Sequence, residues 1–253
     1  MYRSYVALGD SFTEGMDDPR PDGTYRGWAD LVARHLAGQV EGFRYANLAV
    51  RGRLLGPIVA EQVEPALAME PELISIAGGG NDILRRNVDI PALSAVFDDA
   101  VARLRATGAT VVVFAGADLT HLWPAGHRMV PRIDALNDAI SRTATAHGAV
   151  HVDLWGDDGF RDRRMWSVDR LHLSPLGHHR VAAHVLDAIG VPPLDSWREE
   201  LPPVSAVPWL SARASDVRWA RHHVVPWVQR RLRGVSSGDL ITAKRPALEP
   251  YSD

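Results

Sequence analysis

The chain has no cysteine, which excludes disulfides, thiolate metal sites and cysteine nucleophiles. Lysine is nearly as scarce: Lys244 is the only one, and arginine carries the rest of the basic charge. Schiff-base chemistry and the phosphate-gripping lysine of a Walker loop are therefore excluded from the main body. No apolar run approaches the ~20 residues that span a bilayer. Only four residues precede the first apolar run, too few for a secretory leader, so the chain reads as cytoplasmic. The formal net charge of −3 gives no reason to expect nucleic acid as a partner. The run Gly9-Asp10-Ser11-Phe12-Thr13 is not a Gly-x-Ser-x-Gly, which disfavours the α/β-hydrolase elbow there.

What is present is an ordinary globular composition, 46% apolar, arranged as an alternation. Short apolar runs predict strands at Tyr5–Leu8, Arg44–Leu48, Leu73–Ala77, Thr110–Ala115 and Val150–Leu154. Amphipathic stretches predict helices at Trp28–Ala37, Leu54–Ala68, Pro91–Thr107 and Val130–His147. A last helix runs from Pro175 to Ile189, with Ser174 as its cap. Five strands alternating with five helices predict an α/β fold with a parallel sheet covered on both faces.

The composition shifts at Gly190-Val191-Pro192-Pro193. Beyond it lie Trp197, Trp209, Trp219 and Trp227, half of the tryptophans, and the arginine-rich run "RWARHHVVPWVQRRLR" (218–233). The expectation is a body of residues 1–190 and an extension, 191–253, that packs its tryptophans on that body, with a mobile tail after about 236. A homodimer contact through the extension, and then a peripheral membrane contact, are the alternatives.

In an open parallel sheet, functional groups gather beyond the carboxyl ends of the strands. After the first strand comes "LGDSFTEG" (8–15), in which Ser11 is either a nucleophile or the cap of the next helix; eight residues leave both open. After the second comes "NLAVRG" (47–52), after the third "GGGND" (78–82), and after the fifth "DRLH" (169–172). Acyl transfer needs such residue types: a serine, a histidine to take its proton, a carboxylate to orient the histidine, and donors for an oxyanion. Asp169, three residues before His172, reaches that ring within one loop. The Ser11 amide, the Gly52 amide and the Asn81 side chain are three candidate donors. Alone, each feature is also ordinary: a tight turn, a helix-entry glycine, a chance Asp-x-x-His. Four of them at corresponding strand ends are not.

These blocks resemble those of the SGNH hydrolases, also called GDSL esterases/lipases, over about residues 4–190. "GDSFTEG", "NLAVRG", "GGGND" and "DRLHLSPLGHHRVA" match the family's blocks, with "IDALNDAI" and "VHVDLW" in its penultimate helix and last strand. The resemblance implies a flavodoxin-like three-layer α/β/α sandwich and a serine esterase acting on a small-molecule ester, without metal or cofactor. Ser11 is then the nucleophile, His172 the base, Asp169 the acid, and Ser11, Gly52 and Asn81 the oxyanion hole. The family commonly has a small polar residue before the glycine, whereas Arg51 and Arg53 flank Gly52 here. With Arg85 and Arg86 they suggest a positive entrance that favours an anionic substrate. Acyl transfer to another acceptor on the same site is an alternative. A non-catalytic binding module using the extension is another. His178, His179 and His184 lack the i,i+4 spacing of a metal pair and are expected to be solvated or capping. His121 and His127 fall in a loop with Trp123 that is expected to rim the site.

Overall fold

The computed structural model describes residues 1–193, 195–197, 199, 201–202, 216–226, 229 and 236–252. Five strands run parallel: β1 (Ser4–Leu8), β2 (Arg44–Asn47), β3 (Leu73–Ile76), β4 (Thr110–Ala115) and β5 (Val150–Asp153). A sixth, β6 (Arg245–Pro250), pairs antiparallel with β2, giving the order β5-β4-β3-β1-β2-β6. The sheet thus has one strand more than the five expected, and it comes from the stretch expected to be a mobile tail. Pro246 and Pro250 disguise it in the sequence, but proline is tolerated on an edge strand, where half the ladder faces outward.

Side chains alternate across the sheet and build two cores. Tyr5 and Ala7 join one core with helices α2 (Gly27–Ala37) and α8 (Pro175–Ala188). Val6 and Leu8 join the other, with α3 (Leu55–Ile58), α4 (Glu64–Ala68), α6 (Ile90–Arg105) and α7 (Val130–His147). The result is a three-layer α/β/α sandwich. A π-helical turn, Val59–Val63, joins α3 to α4. It carries the buried Gln62, whose carboxamide clasps the Gly9 peptide from both sides, accepting from its N–H at 2.8 Å and donating to its carbonyl at 2.9 Å. Gly9 ends β1 where a Cβ would lie 2.5 Å from Thr13 Oγ1 and 2.8 Å from the Ala77 carbonyl, so only glycine fits.

Among the described residues, no helix is long and apolar enough to cross a membrane. Trp209, Trp227 and much of the arginine-rich run lie outside the described residues. Of the other extension tryptophans, Trp197 packs against the core on the α2/α8 face.

Candidate active site

The turn after β1 opens α1 (Ser11–Glu14), a single turn capped by Asp10, which accepts from the Phe12 N–H at 3.1 Å. Asp10 rather than Ser11 is therefore the cap, which leaves the Ser11 hydroxyl free to face elsewhere. It lies 3.1 Å from His172 Nε2. On the other side of the ring, His172 Nδ1 lies 2.5 Å from Asp169 Oδ2. The second carboxylate oxygen, Asp169 Oδ1, accepts from the backbone N–H groups of Leu171 and His172 at 2.9 and 3.0 Å. Ser11 and His172, 161 positions apart in the chain, thus join Asp169 in one hydrogen-bonded relay.

The loop that carries Asp169 and His172 is bent through Arg170, a non-glycine residue at φ 59°. Such a conformation costs of order 1 kcal/mol or more and persists only when the surroundings hold it. Two tryptophans do so: Trp219 Nε1 donates to the Asp169 carbonyl at 2.6 Å, and Trp123 Nε1 to the Arg170 carbonyl at 2.8 Å. The Arg170 guanidinium stacks on Trp219, 4.9 Å from the ring centroid, and pairs with Asp216 at 2.7 Å. Trp219 and Asp216 belong to the extension, where the sequence showed a tryptophan-and-arginine pattern but no target.

Burial pulls the His172 imidazole toward neutrality, yet its hydrogen bond and charge contact with Asp169, backed by Asp17 and Asp10, outweigh that and hold it above its ordinary value. Burial works against the Asp169 carboxylate too, but His172 and the two backbone N–H groups keep it below the usual range. Asp10 is pushed up to about 6 by burial, only partly relieved by the Phe12 N–H. Among the described residues, Asp17, Asp169 and His172 are the group with the spacing of a metal site. The 2.5 Å contact between His172 Nδ1 and Asp169 already occupies the atoms such an ion would need.

Asn81, on the short helix α5 (Gly80–Ile83), donates from Nδ2 to Asp10 Oδ2 and to the Arg53 carbonyl, both at 2.9 Å. Two acceptors on one side fix which end of the amide is nitrogen. Gly52 sits in the turn after β2 at φ 74°. Its Cα faces Ser236 and Ser237, whose hydroxyls would lie 2.4 and 2.9 Å from a Cβ placed there. The structure does not leave the flanking arginines free. Arg51 binds the buried Glu14 carboxylate through Nε, Nη2 and its own backbone N–H, and lies over the Tyr25 ring. Arg53 pairs with Glu61 at 2.9 Å. Arg85 is exposed, and its carbonyl accepts from Arg132.

Ser11, His172, Asp10 and Asn81 are among the residues that line a cavity of about 200 Å³. Its walls are largely apolar, among them Phe12, Ile83, Phe114, Trp123, Leu136 and Trp166. His178 also reaches it and is buried, taking the second of the two expected roles, capping rather than solvated. Its Nδ1 accepts from the Trp28 N–H at 3.2 Å and its Nε2 faces the Met16 carbonyl at 3.0 Å, so it caps α2 from a neighbouring helix. Burial lowers it to about 4.

The profile of the GDSL-like lipase/acylhydrolase family matches residues 7–180. The chain belongs to that family. This GDSL-like acylhydrolase is a serine ester hydrolase. Solved structures share its fold. An α/β hydrolase enzyme, LAE5, from the metagenome of Lake Arreo, Spain, is 22% identical, with 74% of this chain and 95% of that chain covered and a TM-score of 0.61. The acetylxylan esterase Axe2 from Geobacillus stearothermophilus is 18% identical, with 77% and 97% covered and a TM-score of 0.62. A lipase/acylhydrolase from Enterococcus faecalis is 21% identical, with 76% and 99% covered and a TM-score of 0.58. Among curated proteins, none matches the chain.

Lys244 is the residue of this acylhydrolase that its sequence hid best. The only lysine, it is largely buried behind α1, with its ammonium on the Glu14, Tyr25 and Arg26 carbonyls and on Asp30. Its solitude in an arginine-based chain was the signal. Arginine's planar fork cannot converge on three carbonyls as an ammonium does.

Proposed function

We propose that this ester hydrolase works through an acyl-enzyme on Ser11, with His172 as general base and acid and Asp169 as its orienting carboxylate. The observation that carries this is the continuous contact from Ser11 Oγ through His172 to Asp169, at 3.1 and 2.5 Å, with Ser11 and His172 lining a largely apolar cavity. His172 Nε2 takes the hydroxyl proton as Ser11 Oγ bonds to the ester carbonyl carbon. The carbonyl oxygen becomes an oxyanion. Collapse breaks the bond to the alcohol oxygen, which leaves with the proton from His172. Water then repeats the sequence: His172 takes its proton, the acyl group departs as a carboxylic acid, and Ser11 regains its hydrogen.

Oxyanion donors in this reading are the Ser11 amide, which opens α1 and has no intrahelical acceptor, the Gly52 amide and the Asn81 amide. For Asn81 to donate, it exchanges its bond to the Arg53 carbonyl and keeps the one to Asp10, which aims it. Arg51 and Arg53, already paired with carboxylates, are not part of the substrate site in this reading. Arg85 remains exposed.

The cavity sets the acyl group. An apolar cavity of about 150 Å³ holds benzene, so one of about 200 Å³ holds a hydrophobic chain of roughly six to eight carbons. That is more than an acetyl group fills. A fluorophosphonate probe tests the whole reading: one adduct forms on Ser11 in the native protein and none in Ser11→Ala. Labelling that persists in Ser11→Ala, or fails in the native protein, refutes it. With p-nitrophenyl esters, kcat/KM is expected to peak between hexanoate and octanoate. A peak at acetate would rule out the chain length.

A further inference from the structure

The family match ends at residue 180, yet residues 236–250 touch both elements that present the proposed reacting groups. We infer that this C-terminal segment is a positioning strap, in which Lys244 fixes the Ser11 helix and Ser236–Gly238 fixes the Gly52 turn. The inference rests on the reading of Ser11 and Gly52 given above.

Lys244 acts where α1 ends. Glu14 O is the last carbonyl of a helix only four residues long, an acceptor that the helix itself cannot satisfy. Lys244 Nζ reaches it at 2.7 Å, Arg26 O at 2.6 Å and Tyr25 O at 3.1 Å, and lies 3.1 Å from Asp30 Oδ1. Three ammonium hydrogens thus serve three carbonyls from two segments, with Asp30 balancing the charge. Those segments meet back to back. A Cβ on Gly27 would lie 2.2 Å from the Gly15 Cα, so neither backbone can move without the other. Because α1 is one turn, a displacement at Glu14 is a displacement at Ser11.

The other end of the strap acts on the second element. Ser236 Oγ donates to Gly52 O at 3.3 Å, and a Cβ on Gly238 would come within 2.0 Å of the Arg51 carbonyl. Glu14 ties the two halves together: its carbonyl is held by Lys244 while its carboxylate holds Arg51, next to Gly52. The strap is anchored beyond Lys244 by β6, which lies against β2. One segment therefore sets the distance between α1 and the 51–53 turn. Misplacing reacting groups by about 1 Å costs on the order of 10² in rate.

Lys244→Met is expected to lower kcat on the order of 10²-fold, with KM little changed and Ser11 phosphonylated correspondingly more slowly. The absence of cysteine allows a site-specific rescue. Lys244→Cys, alkylated with 2-bromoethylamine while unfolded and then refolded, regains an ammonium at the same reach and is expected to recover most of the lost kcat. Full kcat in a folded Lys244→Met, whatever its melting temperature, overturns the inference. So does an aminoethylated protein that refolds but stays slow. If Lys244→Met does not fold, Gly238→Ala decides, since it pushes the strap from the Arg51 carbonyl and the Val50 side chain while leaving Lys244 in place. Reduced kcat with near-native melting supports the strap, and native kcat overturns it. A native protein that fluorophosphonate does not label refutes the serine reading itself. Equal labelling of native and variant proteins refutes only the strap.

Discussion

His172 and His178 lie six residues apart in the chain and line the same cavity, yet their surroundings drive them in opposite directions. His172 faces the Asp169 carboxylate, with Asp17 and Asp10 behind it, and is held above its ordinary value in spite of burial. His178 is enclosed by main-chain partners, the Trp28 N–H and the Met16 carbonyl, and burial holds it down at about 4. Burial disfavours charge on both rings; a carboxylate in direct contact reverses the outcome for one. The ring kept ready to take a proton can serve as a base. The ring kept neutral serves as a bridge between helices.

The comparison breaks most sharply in activity. His172→Ala is expected to lower kcat on the order of 10⁴- to 10⁶-fold, as loss of a base does in serine hydrolases, while His178→Gln costs about tenfold or less. Steady-state kinetics on a p-nitrophenyl ester of medium chain length measures both. Similar losses in the two variants would erase the distinction.

Asp169→Asn makes the environment of His172 more like that of His178. A fall in kcat on the order of 10⁴-fold is expected, together with a shift in pH dependence. In the native protein kcat/KM rises with pH through a midpoint above the usual histidine value of about 6.5, because the base must be neutral to act. Without the carboxylate, burial dominates and the midpoint falls below that value. An unmoved midpoint would mean that the pH profile belongs to another group.

The smallest effect is on stability. His178 has a folded value of about 4, below its unfolded value, so the unfolded chain binds more protons in between. Its contribution is present above about pH 6.5 and is lost as the pH falls toward 4, in total about 3 kcal/mol. Asp10, raised to about 6, has the opposite sign: the folded chain binds more protons, so its contribution is lost as the pH rises from about 4 to 6. The two oppose each other, and the native protein is expected to vary little over this range. Urea unfolding at pH 4.5 and 6.5 tests this, with His178→Gln gaining stability on acidification relative to the native chain. Parallel pH dependence in both proteins would count against a neutral, buried His178.

The same contrast explains what was legible in the sequence. The five parallel strands and the long helices were readable because apolar runs and helical spacing report burial directly. Ser11, Asn81 and His172 could be gathered at one sheet edge from strand order alone. Ion pairing could not be read. Arg51 and Arg53 looked like a positive entrance, but a sequence shows charges without partners, and Glu14 and Glu61 reach them only in the folded chain. For His178, helical spacing argues against a metal pair but does not say whether the ring is solvated or caps, because the cap it supplies is on another helix. The edge strand β6 was hidden by its prolines, and the role of Lys244 by partners that lie far earlier in the chain.

That lysine has a practical consequence. Amine-directed reagents modify most proteins at many surface lysines, giving heterogeneous products. Here no lysine lies in the first 243 residues, and the only lysine side chain is engaged behind the Ser11 helix. Its reactivity toward an acylating reagent therefore reports local opening of the strap, read as a mass increment on the peptide that carries Lys244, separate from labelling of the α-amino group, without an introduced label.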